Sequence, residues 1–293
     1  MHIRIGTRGS ELALWQAHHV KEILEKNGNS VSITIIKTQG DKIQDLSFDK
    51  LEGKGFFTKE IESALLSKDV DLAVHSHKDL ETSPPSGLVI AAVSEREDPA
   101  ELLLISKGNV DLSQIWDLKL NSCIGTSSAR RKSVVVSRRK DLNIKELRGN
   151  VPTRIQKLRE GQYDAIILAK AGVSRLEIDL SEFHVVELDP KSFVPAPAQG
   201  VLALQIRENE TELWQEIQKL NNTQVEKQIA VERKVLNLMD GGCQLPLGVF
   251  CDLEKVFVSF AKDWTEGARN FDFPYSENTC LAEEIVATLK VNG

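Results

Sequence analysis

The sequence has 293 residues, 41% of them hydrophobic and 27% charged, with a formal net charge of −6. This is the balance of an ordinary globular chain with room for two or three domains, and no run approaches the roughly 18 apolar residues of a membrane span. Cys123, Cys243, Cys251 and Cys280 form no Cys-x-x-Cys pair, which excludes a disulfide scaffold and the usual zinc spacings, so a reducing cytoplasm and no metal are expected.

In chain order, short apolar strands alternate with amphipathic helices. Residues 3–6 read as a strand that starts at once, so no secretory leader is expected. The pattern then predicts a helix over 12–27, a strand over 31–37, a helix over 58–67 and a strand over 71–76. After Pro99 the same rhythm returns, with strands at 122–125, 143–147 and 165–168 and helices at 128–140, 152–160 and 170–176. This is the signature of two successive α/β units, each with an open, mostly parallel sheet. The Pro-rich stretch at 194–200 reads as a crossover. A strand over 201–207 follows, then helical sequence as far as Met239. Beyond Gly241-Gly242 come strands at 249–251, 255–261 and 268–273 and a helix over 281–289, a small α/β third region.

Four segments carry chemistry. Gly6-Thr7-Arg8-Gly9-Ser10 lies at a strand-to-helix junction, where backbone N–H groups hold an anion or Ser10 simply caps the helix. His75-Ser76-His77-Lys78-Asp79 ends an apolar strand, the place where ligands meet open α/β sheets. It reads either as an acid–base centre or as an exposed strand end with neighbouring opposite charges; neither His is expected to bind metal. The third segment is basic. Residues 121–175 hold 13 Lys and Arg against 4 Asp and Glu, a surplus of 9 positive charges inside a chain whose remainder has a net charge of −15. Within it, Gly125-Thr126-Ser127-Ser128-Ala129-Arg130-Arg131 and Arg148-Gly149-Asn150-Val151-Pro152-Thr153-Arg154 both follow a strand and open a helix, and Arg175 ends a third unit. Loop arginines of this kind converge on a polyanion, since a guanidinium matches a carboxylate bidentately. Arg138, Arg139, Lys140 and Arg159 are assigned instead to a solvated helix face. The fourth segment, Gly241-Gly242-Cys243, places a thiol on a tight turn where another molecule can reach it; the other three cysteines read as small hydrophobes.

Taken in order, Thr7-Arg8-Gly9-Ser10-Glu11-Leu12-Ala13, Gly53-Lys54-Gly55-Phe56-Phe57, His75-Ser76-His77-Lys78-Asp79, Gly125-Thr126-Ser127-Ser128, Arg148-Gly149-Asn150-Val151, Ala196-Pro197-Ala198-Gln199-Gly200 and Gly242-Cys243 resemble the porphobilinogen deaminase (hydroxymethylbilane synthase) family over nearly the whole chain. The resemblance implies an α/β fold of two periplasmic-binding-protein-like domains, residues 1–97 with 199–219 and residues 98–198. A small α/β third domain, residues 220–293, would carry the cofactor cysteine. It implies a dipyrromethane cofactor joined to Cys243 by a thioether. Four porphobilinogen molecules would be added to it with loss of ammonia, and hydroxymethylbilane released by water. On the same resemblance, Arg8, Arg130, Arg131, Arg148, Arg154 and Arg175 would bind the acetates and propionates of the pyrroles. Ser10, Lys78, Thr126, Ser127, Ser128 and Gly149 would assist them. Asp79 would bond the pyrrole nitrogens as the catalytic carboxylate, Gln16 and Gln199 would line the cleft, and Lys54 and Phe57 would belong to a loop over it. His77, Ala198 and Gln205 stand where Met, Gly and Glu are frequent in the family. A cytoplasmic monomer acting on a small molecule, with no nucleic-acid or membrane partner, is expected. The alternatives are a non-enzymatic two-lobed anion-binding protein, which leaves Cys243 unexplained, and an RNA-binding module, against which the acidic remainder and 5% aromatic content speak.

Overall fold

The computed structural model describes residues 1–38, 58–242, 244–278 and 280–292; Lys54, Phe57 and Cys243 lie outside the described residues. The chain begins β1 (His2–Thr7), α1 (Glu11–Lys26), β2 (Ser30–Ile35), α2 (Lys59–Leu66), β3 (Leu72–Ser76) and β4 (Leu88–Val93). Next come β5 (Glu101–Ser106), β6 (Cys123–Gly125), α3 (Ala129–Arg138), β7 (Asn143–Lys145), α4 (Val151–Arg159), β8 (Ala165–Ala169), α5 (Lys170–Arg175) and β9 (Phe183–Leu188). The chain ends with β10 (Leu202–Arg207), α6 (Thr211–Gln218), α7 (Thr223–Leu238), β11 (Leu247–Cys251), β12 (Lys255–Phe260), β13 (Arg269–Pro274) and α8 (Leu281–Asn292).

The contacts divide the chain into two units, Met1–Glu97 with Gln199–Lys227 and Asp98–Ala198 with Gln228–Gly293. The first holds a five-stranded sheet in the order β2-β1-β3-β10-β4, the second one in the order β7-β6-β8-β5-β9. The two plans coincide strand for strand. In each, three strands run parallel and the fourth and fifth enter through an antiparallel pairing. Four of the five strands in each sheet therefore run in one direction, as expected of a mostly parallel sheet, and a single reversed strand, β10 in the first and β5 in the second, makes half the pairings antiparallel. The physical reason lies in the connections. A parallel neighbour needs a crossover, usually a helix, whereas β5 and β10 each follow an extended segment that delivers the chain at the edge where the parallel strands end. Glu101 at the start of β5 pairs with Ala169 at the end of β8, and Leu202 at the start of β10 pairs with Ser76 at the end of β3.

Strands β4, β5 and β9 went unread in the sequence. Burial on both faces erases the period-two signal that identifies a strand in β5, which is buried at five of its six positions, and β4 has no exposed position; in β9 the apolar Val185 faces outward, which blurs the alternation. The first unit buries Ile3, Ile5, Leu24, Leu72 and Leu204 on one face of its sheet and Ile61, Leu65 and Val70 on the other. The second sheet is likewise covered on both faces, by Leu103, Ile124, Val135 and Ile167 and by Leu104, Leu147, Ile155 and Ile166. The antiparallel sheet β11-β12-β13 packs Val249, Val256 and Val258 against Val235 of α7 and Ile285 and Leu289 of α8.

Candidate active site

In the first unit, β1 and β3 are parallel neighbours, with Ile5 beside Leu72 and Gly6 beside Ala73, so the loops that follow them emerge from one sheet edge. After β1, Ser10 caps α1 by accepting from Ala13 N at 3.4 Å, the plain capping role, and its hydroxyl hydrogen stays available to donate. Arg8 is half-buried beside it. Gln16, 2% exposed, donates from Nε2 to Ser76 Oγ at 2.8 Å and ties α1 to the end of β3. It positions the strand end and is held back from the surface.

At that strand end, His77, Lys78 and Asp79 form a 3₁₀ turn whose first N–H donates to Val201 O at 2.9 Å. The Lys78 ammonium donates to Gln199 Oε1 at 3.2 Å, and the Gln199 carbonyl accepts from Arg96 Nε at 3.0 Å. Gly200 next to it has φ 89°, and a Cβ there would stand 2.2 Å from Glu97 O, so only glycine fits. The chain thus fixes the backbone beneath an exposed carboxylate, Asp79.

Behind this edge lies a polar thread. His75 is 6% exposed; its Nε2 is 3.1 Å from Gln205 Oε1, while Gln205 Nε2 donates to Glu62 Oε1 at 3.1 Å. Because the Gln205 amide nitrogen faces the carboxylate, its oxygen faces His75, and the imidazole proton sits on Nε2. Burial pushes the His75 pKa down to about 4, against the hydrogen bond to Gln205, so the ring is neutral at pH 7. Burial likewise raises Glu62.

In the second unit, β6 is flanked by β7 and β8 in parallel, so three loops open on one edge. Ser128 caps α3, accepting from Arg131 N, and Thr126 Oγ1 accepts from Ser128 N at 3.3 Å. Ser127 donates to Leu147 O at 2.9 Å and accepts from Leu147 N at 3.0 Å, so its hydroxyl stitches the first loop to the second; this ends β7 at Lys145, short of the expected 147. Asn150 caps α4 through Thr153 N at 2.9 Å. Gly149 has φ 115°, where a Cβ would meet the Thr153 side chain at 2.7 Å, and its carbonyl accepts from Arg154 Nε at 2.8 Å. Arg148 and Arg154 are half-buried on this edge, and Arg175 is buried at the end of α5.

Arg130 and Arg131 do bind a carboxylate, but it belongs to the chain. Glu101, fully buried at the start of β5, accepts Arg130 Nη2 at 2.5 Å, Arg131 Nε at 3.1 Å and Arg131 Nη2 at 2.7 Å. Arg130 Nη1 also donates to Val194 O at 2.9 Å and Arg131 Nη1 to Ile167 O at 3.0 Å. Burial lowers the Arg130 pKa, Glu101 raises it and Arg131 lowers it again. Two cations share one anion, so the group carries a net +1. Sequence reasoning missed Glu101; its only signal is a charged residue opening an apolar run.

Arg139 is corrected outright. It was placed on a solvated face, yet it is 5% exposed and donates to both Asp141 carboxylate oxygens at 2.7 Å and to the Ile115, Leu118 and Lys119 carbonyls. Helical periodicity fails there because α3 stops at Arg138 and Arg139 turns back with φ −141°. Arg138, Lys140 and Arg159 are exposed.

The donor set of the second edge fits a group bearing several carboxylates. It offers guanidinium forks, hydroxyls with a hydrogen to donate, and two capped helix starts over a glycine without room for a side chain. A family model described as "Porphobilinogen deaminase, dipyromethane cofactor binding domain" matches residues 3–215. Curated proteins named porphobilinogen deaminase are similar over most of their length. The one from Sulfurimonas denitrificans is 44% identical over 248 residues, 84% of this chain and 77% of that protein. The one from Maridesulfovibrio salexigens is 43% identical over 254 residues, 86% and 80%. The one from Oceanobacillus iheyensis is 44% identical over 255 residues, 86% and 81%. Among solved structures, the periplasmic VFT2 domain of Bordetella pertussis BvgS is 12% identical over 79% of this chain and 93% of that one, with a TM-score of 0.44, a likeness too loose to carry an argument.

Proposed function

Because the chain belongs to the porphobilinogen deaminase family, we propose that the two sheet edges divide its reaction between them, the first unit supplying the catalytic carboxylate and the second the carboxylate-binding cations. The chain is an enzyme that condenses porphobilinogen with loss of ammonia in tetrapyrrole synthesis, and its family domain binds dipyrromethane. When bound, that cofactor supplies the anchored pyrrole to which porphobilinogen units are joined.

The chain's own residues bind, orient and stabilise charge. Arg148 and Arg154 hold acetate and propionate groups, with Arg8 as the corresponding cation of the first unit. Ser10, Ser128 and Thr126 donate hydroxyl hydrogens beside them, and Lys78 adds a positive charge next to Gln199. Arg130, Arg131 and their shared Glu101 present a net positive charge from beneath, and Arg175 adds another. Ser127 and Gln16 position the loops that carry these groups. Asp79 accepts from the pyrrole N–H of porphobilinogen as positive charge develops during loss of ammonia. A carboxylate aimed at that hydrogen stabilises the transition state more than the ground state.

The observation that carries this reading is the fixed turn under Asp79: His77 N to Val201 O, Lys78 to Gln199, and Gly200 against Glu97 hold an exposed carboxylate on a rigid sheet edge. Cys243 is the attachment point by its motif. Residues 220–293 act as the third domain that presents it, supported by the separate core of β11-β12-β13 and α8. The enzyme works as a cytoplasmic monomer without nucleic acid; no described helix is long and apolar enough to cross a membrane. Intact mass tests the anchor. The purified protein is expected to exceed its sequence mass by two linked pyrrole units and Cys243→Ser to match its own sequence mass; active protein of unmodified mass would refute the assignment.

A further inference from the structure

The Glu101 group has a counterpart on the same helix. Lys132 of α3 is 5% exposed, and its ammonium donates to Glu146 Oε1; the other oxygen of that carboxylate is 3.5 Å from Arg148 Nη2. Glu146 is further held by its backbone, whose carbonyl accepts from Tyr163 OH at 2.5 Å. Lys132 is fixed from the opposite side. Its Nζ stands 5.0 Å from the centre of the Trp264 ring, and the segment carrying Trp264 is seated on α3 by the bond from Ala268 N to Ser133 O at 2.9 Å. Burial acts to raise the Glu146 carboxyl, but the Lys132 hydrogen bond and nearby cations outweigh it and hold the group below its ordinary value.

Glu146 alone beside Arg148 orients the guanidinium at the cost of cancelling its charge. Lys132 restores the balance, so the three side chains sum to +1, the same sum as Arg130, Arg131 and Glu101. We propose that Lys132, clamped over Trp264, is a positioning residue that offsets Glu146 and so leaves Arg148 both oriented and electrostatically attractive to a pyrrole carboxylate. This rests on the reading that Arg148 binds such carboxylates. It gives the segment around Trp264, seated on α3, a part in substrate affinity. It also separates the duties of the trio: Glu146 sets direction, Lys132 sets charge, Arg148 makes the contact.

The test uses the purified enzyme and a probe that cannot react, porphobilinogen lacking its aminomethyl group, titrated by calorimetry at low and high salt; KM and kcat for porphobilinogen are measured beside it. Lys132→Met makes the trio neutral. It is expected to weaken probe binding and raise KM on the order of tenfold at low salt, less at high salt, with kcat little changed. Adding Glu146→Gln to Lys132→Met restores a net +1 and should recover most of that loss. A merely structural role for Lys132 predicts instead that the double variant is as weak as the single one, or weaker, and that result overturns the proposal. Should Lys132→Met not fold, Glu146→Gln alone decides, because its carboxamide keeps an acceptor oxygen facing the Arg148 guanidinium, and so the direction, while the negative charge is lost. Unchanged or tighter binding supports the charge balance, and weakening comparable to that of Arg148→Ala refutes it. Arg148→Ala is run alongside. If it leaves probe affinity unchanged, the carboxylate-binding reading of Arg148 has failed and this proposal with it. If it weakens binding while Lys132→Met does not, only the role of Lys132 has failed.

Discussion

The two five-stranded sheets share a strand plan but put opposite chemistry on the edge where their parallel strands end. In the first unit that edge is held through side-chain amides, with Gln16 on Ser76 and Gln199 accepting from the Lys78 ammonium, and it displays a carboxylate, Asp79. In the second unit the edge is held by ions. Glu101 clamps Arg130 and Arg131, and Glu146 joins Lys132 to Arg148. The topology therefore fixes where chemistry can be done, and the polar residues beneath the edge decide which chemistry. An amide support leaves the Asp79 carboxylate unpaired by the groups that hold the edge, whereas two cations per structural carboxylate leave a surplus that attracts an acidic substrate.

The comparison breaks most visibly at Asp79. Asp79→Asn keeps the size and a hydrogen-bond acceptor and removes the charge. Turnover is expected to fall roughly 10²–10⁴-fold, the span of a positioned acid–base group, while the melting temperature and the attached pyrrole mass stay near wild type. Steady-state kinetics beside a melting curve would decide; near-normal turnover would reduce Asp79 to a strand-end charge.

On the other edge the largest effect is on stability. Glu101→Ala leaves two buried guanidiniums without their shared anion, and breaking such a group costs about 3–5 kcal/mol. Denaturant unfolding of the second unit should register this loss. Arg139→Ala should also destabilise the protein and Arg138→Ala should not, because only Arg139 is buried and holds three backbone carbonyls. Equal melting temperatures for those two variants would contradict the burial.

The polar thread behind the first unit's edge has its own pH signature. His75 has a folded pKa of about 4 against an ordinary 6.5, so the unfolded chain binds its proton first. Stability from this residue is fully present above pH 6.5 and is lost as the pH falls from there towards 4, amounting to about 3 kcal/mol. A His75→Gln variant, which cannot titrate, should show a flatter loss of stability over that window. An unchanged slope would mean that His75 is not the group responsible.

How much of this was legible in the sequence follows from range. Ser10 was readable as a cap because a cap acts within three residues of itself, and the strand–loop–helix rhythm placed Arg148 and Asp79 at sheet edges and the segments of Ser128 and Asn150 at helix starts. Glu101, Glu146 and the environment of Lys132 were not. Glu101 lies 29 and 30 residues from its two arginines, Lys132 lies 14 from Glu146 and 132 from Trp264, and Glu101 opens β5, a strand that the hydrophobic pattern did not reveal. Arg139 was misread for a related reason: a helical wheel assigns a face only while the helix continues, and α3 ends one residue earlier. Gln205 shows the converse. Only its contacts with His75 and Glu62 show that an amide is suited here to bridge a neutral imidazole and a carboxylate.

The smallest expected effect concerns the crossover that begins the first unit's last strand. Ala198 has φ 60°, a left-handed conformation that costs an alanine roughly 1–2 kcal/mol. Glycine relieves that cost. It also enlarges the unfolded ensemble, by about 0.4–1 kcal/mol, and removes a fully buried methyl worth about 0.8 kcal/mol. The backbone bond from Ala198 N to Glu232 Oε2 at 2.7 Å is kept by either residue. These contributions nearly cancel, so Ala198→Gly should shift stability by about 0.5 kcal/mol or less in either direction. Two residues on, Gly200→Ala meets the Glu97 carbonyl at 2.2 Å as well as a positive φ, and it should be severely destabilising. Melting curves of the two variants side by side sharpen the point that backbone conformation alone leaves alanine tolerable, while a contact with the backbone beside it demands glycine. A large stabilisation by Ala198→Gly would show that the left-handed strain outweighs the buried methyl.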